Sequence, residues 1–101
     1  MIKIETTGEF IQLLNKLYLE DPRLESLIAK KVNWFQKNSK DTRLENHPLS
    51  KRMRGKWSFS ITEDIRIVYK WTNKTTVRLL DIGPHIKVYV QARAKKQSPK
   101  R

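Results

Sequence analysis

The sequence predicts an α+β fold in which an N-terminal strand and a two-helix hairpin pack on one face of a small antiparallel β-sheet. Three observations carry this. The run from Arg54 to Tyr89 alternates apolar and polar residues, as strands with one buried face do. Two stretches before it carry apolar residues at helical spacing. The order is strand, helix, helix, then three strands, with nothing repeated internally.

The elements follow in chain order. Ile2 and Ile4 alternate with Lys3 and Glu5, which predicts a short strand at a sheet edge. Thr6 and Glu9 have capping-box spacing, so Thr6 is expected to cap a helix start while Glu9 reaches back. Phe10, Leu13, Leu14, Leu17 and Tyr18 form the first helical stripe. Asp21 is expected as the next N-cap, with Pro22 at the first helical position. Leu24, Leu27, Ile28, Val32 and Phe35 form the second stripe. From Lys37 to Asn46 the pattern breaks into a polar loop, followed by His47-Pro48-Leu49 and the basic cluster Lys51, Arg52, Arg54 and Lys56.

Trp57, Phe59 and Ile61 then alternate with Ser58, Ser60 and Thr62. Thr62-Glu63-Asp64 is a polar turn. Ile65, Ile67, Tyr69 and Trp71 share one face of the next strand, with Arg66, Val68 and Lys70 on the other. Thr72-Asn73-Lys74 turns the chain again, and Val77 to Ile82 is the last strand, closed by Gly83-Pro84-His85. The meander has one apolar face and one carrying Lys56, Ser58, Ser60, Arg66 and Lys70.

With 101 residues and 38% hydrophobic content, the chain supports one modest core. It has no cysteine, which excludes disulfides, thiolate chemistry and cysteine zinc sites. Its two histidines have no carboxylate cluster beside them, so no metal site and no cofactor are expected. No apolar run approaches the ~20 residues that cross a bilayer, and no signal peptide opens the chain, so no membrane partner and a cytoplasmic location are expected. The charge is the strongest feature: 22 basic against 10 acidic residues, net +12. Such an excess on a small domain points to a polyanion or an acidic protein as partner.

The string GKWSFSITEDIRIVYK, followed by DIGPHIKVY, resembles the RelE/ParE superfamily of bacterial toxins from toxin–antitoxin modules. It is most similar to the YafQ- and YoeB-like branches of the RelE-type messenger-RNA interferases. The likeness extends over residues 1–90, which it implies form a single toxin domain. Residues 91–101 would then be a basic, partly disordered tail. The resemblance implies a metal-independent endoribonuclease that cuts messenger RNA, in most branches on the ribosome. It also implies an acidic antitoxin that binds and blocks it. By position, His47 resembles a histidine that YafQ-like proteins use, Asp64 their turn carboxylate, and Arg66 the arginine that contacts the scissile phosphate in RelE and YoeB. His85 resembles the histidine after the last strand and Tyr89 the aromatic residue near the C-terminus.

Metal-free RNA cleavage needs a base for the 2′-hydroxyl, a cation for the crowded phosphate and an acid for the departing 5′-oxygen. Histidine suits the proton steps, and the planar fork of arginine suits the phosphate. On this basis Arg66 is expected to bind the phosphate, His85 to be the acid, and His47 or Asp64 the base. Tyr89 is expected to stack on a base or orient the phosphate. Lys51, Arg52, Arg54, Lys56, Ser58, Ser60 and Lys70 are expected along the RNA path. Asp64 also fits a simple turn cap, and Arg66 an ion pair with Glu63 or Asp64. Ser58 and Ser60 stand where RelE has lysines and the other branches have histidine or arginine. A serine is neither a cationic clamp nor a proton carrier near neutral pH. Two other functions therefore stay open: a ParE-like toxin acting on DNA gyrase by protein contact, and a non-catalytic basic domain that binds RNA or the ribosome.

Overall fold

The computed structural model describes residues 1–84, apart from the side chain of Arg52. Strand β1 (Lys3–Thr6) leads into helix α1 (Gly8–Glu20) and helix α2 (Leu24–Lys37). A 3-10 turn (Thr42–Leu44), a two-residue strand β2 (His47–Pro48) and a second 3-10 turn (Lys51–Met53) follow. Strands β3 (Trp57–Ser60), β4 (Ile65–Trp71) and β5 (Thr76–Pro84) complete the five-stranded sheet, in the order β1-β5-β4-β3-β2. The expected antiparallel meander is the run β3 to β5; β2, which the sequence did not signal, extends it antiparallel at one edge, and β1 adds a parallel strand at the other, with Ile4 opposite Val77.

Both helix starts lie further along the chain than the sequence signals imply. Thr6 is the last residue of β1, opposite Leu79, and so is committed to the sheet ladder. The cap passes to Thr7, whose Oγ1 accepts from the Phe10 amide at 3.0 Å. Asp21 is likewise engaged already, because its amide closes α1 on the Leu17 carbonyl at 2.8 Å. It forms a tight turn with Pro22 and Arg23, its carboxylate accepting from the Arg23 amide and guanidinium, and α2 starts at Leu24. In each case an end of the preceding element has priority over the local cap.

The two helical stripes meet the apolar sheet face as their spacing requires. Phe10, Ile28, Phe35, Leu44, Phe59, Ile61, Ile67, Tyr69, Val77, Leu79 and Ile82 form the core, with Trp57 and Trp71 half-buried against it. Phe35 stacks on Phe59 at 4.6 Å between ring centroids and meets Tyr69 edge-on at 4.9 Å. This aromatic contact joins α2 to the two middle strands.

A register shift between Val68 and Tyr69 leaves Leu80 as an extra residue in β5. Leu79 and Ile82 both reach the core, while Leu80 and Asp81 line a cleft on the far face. That face carries its own small apolar cluster of Leu49, Met53 and Val68. Among the described residues no helix is long and apolar enough to cross a membrane.

Three substitutions test this packing and its caps. Phe35→Ala is expected to lower stability by ~3–5 kcal/mol, since the ring is fully buried and its space cannot be refilled. Thr7→Ala is expected to cost ~1 kcal/mol through the lost cap, whereas Thr6→Ala leaves the cap intact. Equilibrium urea denaturation of the three variants measures both, and equal losses for Thr6→Ala and Thr7→Ala would contradict the cap assignment.

Candidate active site

The far face of the sheet holds a buried cation. Arg66 lies on β4 between Ser60 of β3 and Gly83 of β5, with 7% of its surface exposed. Burying a guanidinium is costly unless its donors are satisfied. Arg66 Nε donates to Ser58 Oγ at 2.6 Å. Its Nη2 donates to the Glu45 carbonyl at 3.0 Å and the Ser58 carbonyl at 3.3 Å. The remaining nitrogen, Nη1, faces Glu45 Oε1 at 3.7 Å, an ion-pair distance too long for a hydrogen bond. The guanidinium is thus held on one edge, and among the described residues its Nη1 makes no hydrogen bond.

His47 completes the group. It pairs with Ser58 through β2, and its Nε2 lies 3.3 Å from Arg66 Nη2. Its Nδ1 is 3.2 Å from the Pro48 carbonyl. A carbonyl only accepts and a guanidinium only donates, so a proton on Nδ1 suits both contacts, the Nε2 lone pair sharing an Nη2 hydrogen with a backbone carbonyl.

The segment that delivers these groups is the stretch the sequence showed as a patternless polar loop. It is clamped at several points. Asp41 caps the 3-10 turn by accepting from the Arg43 amide at 3.0 Å, and Leu44 is fully buried in the core. Asn46 accepts from the Tyr69 hydroxyl at 2.7 Å and donates to the Ser39 carbonyl at 3.0 Å. Burial raises the Tyr69 pKa, which keeps the phenol protonated as the donor of that bond. Between these fixed points Glu45 takes a left-handed conformation, φ 50°, at a cost of ~1–2 kcal/mol. The kink sets both its carbonyl and its carboxylate toward Arg66.

Arg66 and His47 are therefore brought together, and Glu45 joins them unanticipated. The available signal was a carboxylate two residues before His47 in the polar loop. Ser58 is fully buried, and its hydroxyl holds Arg66. Ser60 is 7% exposed and donates to the Thr62 carbonyl at 2.7 Å. Both hydroxyls are engaged inside the protein, where neither lies along an open RNA path.

Asp64 lies in the exposed β3–β4 turn, its amide donating to Thr62 Oγ1 at 3.1 Å. Neither it nor Glu63 pairs with Arg66, whose carboxylate partner is Glu45. Lys51, Arg54 and Lys70 are exposed. Lys56 and Lys70, with Thr7, Glu9, Met53, Val68, Leu80 and Asp81, line a cleft of about 280 Å³ on the Arg66 side of the sheet. His85 and Tyr89 lie outside the described residues. Among the described residues no group of three or more His, Cys, Asp or Glu side chains could hold a metal ion.

No protein-family profile matches the chain, and no curated protein matches it in sequence. Solved structures do match. YafQ from E. coli aligns with a TM-score of 0.71 at 18% identity, covering 88% of this chain and 99% of that one. A metal-bound toxin from Helicobacter pylori aligns with a TM-score of 0.71 at 23% identity, covering 87% and 99%. The YoeB–YefM complex from Staphylococcus aureus aligns with a TM-score of 0.68 at 13% identity, covering 84% and 98%. The chain has the fold of these RelE-type toxins, as its strand motifs implied.

The clamps make two predictions. Ser58→Ala strands the buried Nε–H of Arg66 and is expected to cost ~1.5–3 kcal/mol, against ~1 kcal/mol for Ser60→Ala, both read by urea denaturation. Asp41 has its pKa lowered from 3.8 to about 2, first by the Arg43 side-chain hydrogen bond and then by the Arg43 amide. A depressed carboxyl stabilises the fold above its unfolded value and loses that contribution as pH falls through its folded value. Wild type is therefore expected to lose stability between pH 3.8 and about 2 more steeply than Asp41→Asn. Parallel acid profiles of the two proteins would contradict the clamp.

Proposed function

We propose that this protein is the toxin of a type II toxin–antitoxin module and acts as a metal-independent endoribonuclease on messenger RNA. The observation that carries the reading is Arg66: a buried guanidinium held on one edge, with a carboxylate and an imidazole beside it. The fold shared with YafQ and YoeB supports the class.

In the proposed reaction, the Nη1 edge of Arg66 receives a non-bridging oxygen of the scissile phosphate, displacing the loose Glu45 ion pair. The Glu45 carboxylate then takes the proton of the 2′-hydroxyl, and the 2′-oxygen attacks phosphorus. The P–O5′ bond breaks to leave a 2′,3′-cyclic phosphate. The departing 5′-oxygen takes a proton from His85, the acid that the family resemblance implies. His47, its Nε2 lone pair facing Nη2, holds Arg66 in line. A fixed cation at the phosphate, rather than a mobile one, is the larger part of such catalysis.

YefM bound to YoeB supports a neutralising partner for this chain, and the net charge of +12 favours an acidic one. The ribosome enters the proposal through the family resemblance alone. Action on gyrase by protein contact would give the buried Arg66 group no task.

Expression in bacteria of wild type, Glu45→Gln and Arg66→Met tests the reading, with growth and transcript cleavage followed together. Wild type is expected to arrest growth and cut transcripts. Glu45→Gln, an exposed change, is expected to slow cleavage by ~10²–10⁴-fold while the protein stays folded. Arg66→Met, close in length but uncharged, is expected to abolish it. Arrest without cleavage, or cleavage indifferent to both changes, would refute the proposal.

A further inference from the structure

A second cationic site lies on α2, away from the Arg66 face. Trp34 is half-buried near the end of that helix, and three cations surround its ring. Arg43 Cζ is 3.5 Å from the ring centroid, Lys31 Nζ 5.0 Å and Lys30 Nζ 5.2 Å. Exposed Lys37 is one turn further along, so positions 30, 31 and 37 all neighbour Trp34 on the helix surface. Gathering like charges round one ring opposes folding unless something offsets their repulsion.

Arg43 is the organised member of the set. The Asp41 carboxylate accepts from its Nε at 3.0 Å and its Nη2 at 2.7 Å, which fixes the plane of the guanidinium. At 3.5 Å over the ring centroid, that guanidinium has the indole on one side. Its side chain is nonetheless 60% exposed, while Asp41 is only 15% exposed. The result is a planar cation seated over an aromatic ring, locked by a carboxylate and still largely exposed to solvent. Unpaired nucleobases stack on guanidinium planes of this kind, and flanking lysines take their phosphates.

We propose that Trp34, Arg43 and Asp41, flanked by Lys30, Lys31 and Lys37, form a second RNA-binding site that stacks an unpaired base on the Arg43 plane. The site shares with the ribonuclease reading that the ligand is RNA, but cleavage does not depend on it chemically. It anchors structured RNA while the Arg66 face handles the scissile phosphate. An acidic peptide would need the charges alone, without the locked plane.

The test uses the full chain and two 2′-O-methyl RNA probes, which cannot be cleaved through the 2′-oxygen: a hairpin with an unpaired purine loop, and a fully paired duplex. Binding is read by fluorescence anisotropy at several salt concentrations, with circular dichroism as a check on folding. Arg43→Lys keeps the charge but loses the plane, and is expected to weaken the hairpin ~10-fold while leaving the duplex unchanged. The Lys30→Glu, Lys37→Glu double variant is expected to weaken both probes and flatten the salt dependence. Hairpin binding indifferent to Arg43→Lys would overturn the proposal. So would a poly-glutamate peptide that binds as tightly as the hairpin and depends equally on Arg43. Because neither probe is cut, the outcome stands apart from whether Glu45 and Arg66 catalyse cleavage.

Discussion

The far face of the sheet is organised by the need to satisfy one buried guanidinium. Arg66 is 7% exposed, and without partners its burial would cost several kcal/mol. Ser58 and the Glu45 backbone meet most of that need. In doing so they draw the segment after the 3-10 turn onto the sheet edge, where His47 pairs with Ser58. The left-handed kink at Glu45 and the pairing of β2 with β3 bring the Glu45 carbonyl and His47 to this guanidinium. The same hydrogen bonds that stabilise the charge fix its direction, and a fixed direction is what a phosphate site requires.

The periodic parts of the fold were legible in the sequence. Alternation marked β3, β4 and β5, and the helical stripes named the residues that bury against them, because side-chain period directly reports which face is dry. The family likeness of the strand motifs also agrees with the solved structures of the same fold. Less legible was whatever depends on contact between distant segments. β2 has two residues, one of them proline, and no period to read. Glu45 reaches Arg66 because of a backbone kink fixed by its neighbours, and no pattern in the loop announces that. Ser58 and Ser60 read as missing cations, whereas one holds Arg66 and the other a turn carbonyl. The helix caps were each displaced because the preceding element already held the expected residue.

Charge is distributed with the same economy. Two Asp-x-Arg units, at Asp21–Arg23 and Asp41–Arg43, close the turns on either side of α2. The first is an exposed pair, which by itself contributes little. The second is stacked on Trp34, and so ties the loop that bears Glu45 and His47 back to the helix. Among the described residues, Lys51, Arg54 and Lys70 on the sheet side are exposed cations. In the proposed function those side chains supply affinity for the RNA backbone, while the buried Arg66 positions the scissile phosphate.

The most direct test of this account is the side-chain ¹⁵N spectrum of Arg66 during titration with an RNA oligonucleotide carrying a 2′-deoxy residue at the cleavage position. The account predicts that the Nη1 signal shifts as the phosphate replaces Glu45, while the Nε–H held by Ser58 stays in place and slow to exchange. An Arg66 spectrum that does not respond to saturating RNA would contradict it, and would leave the guanidinium a purely structural pin.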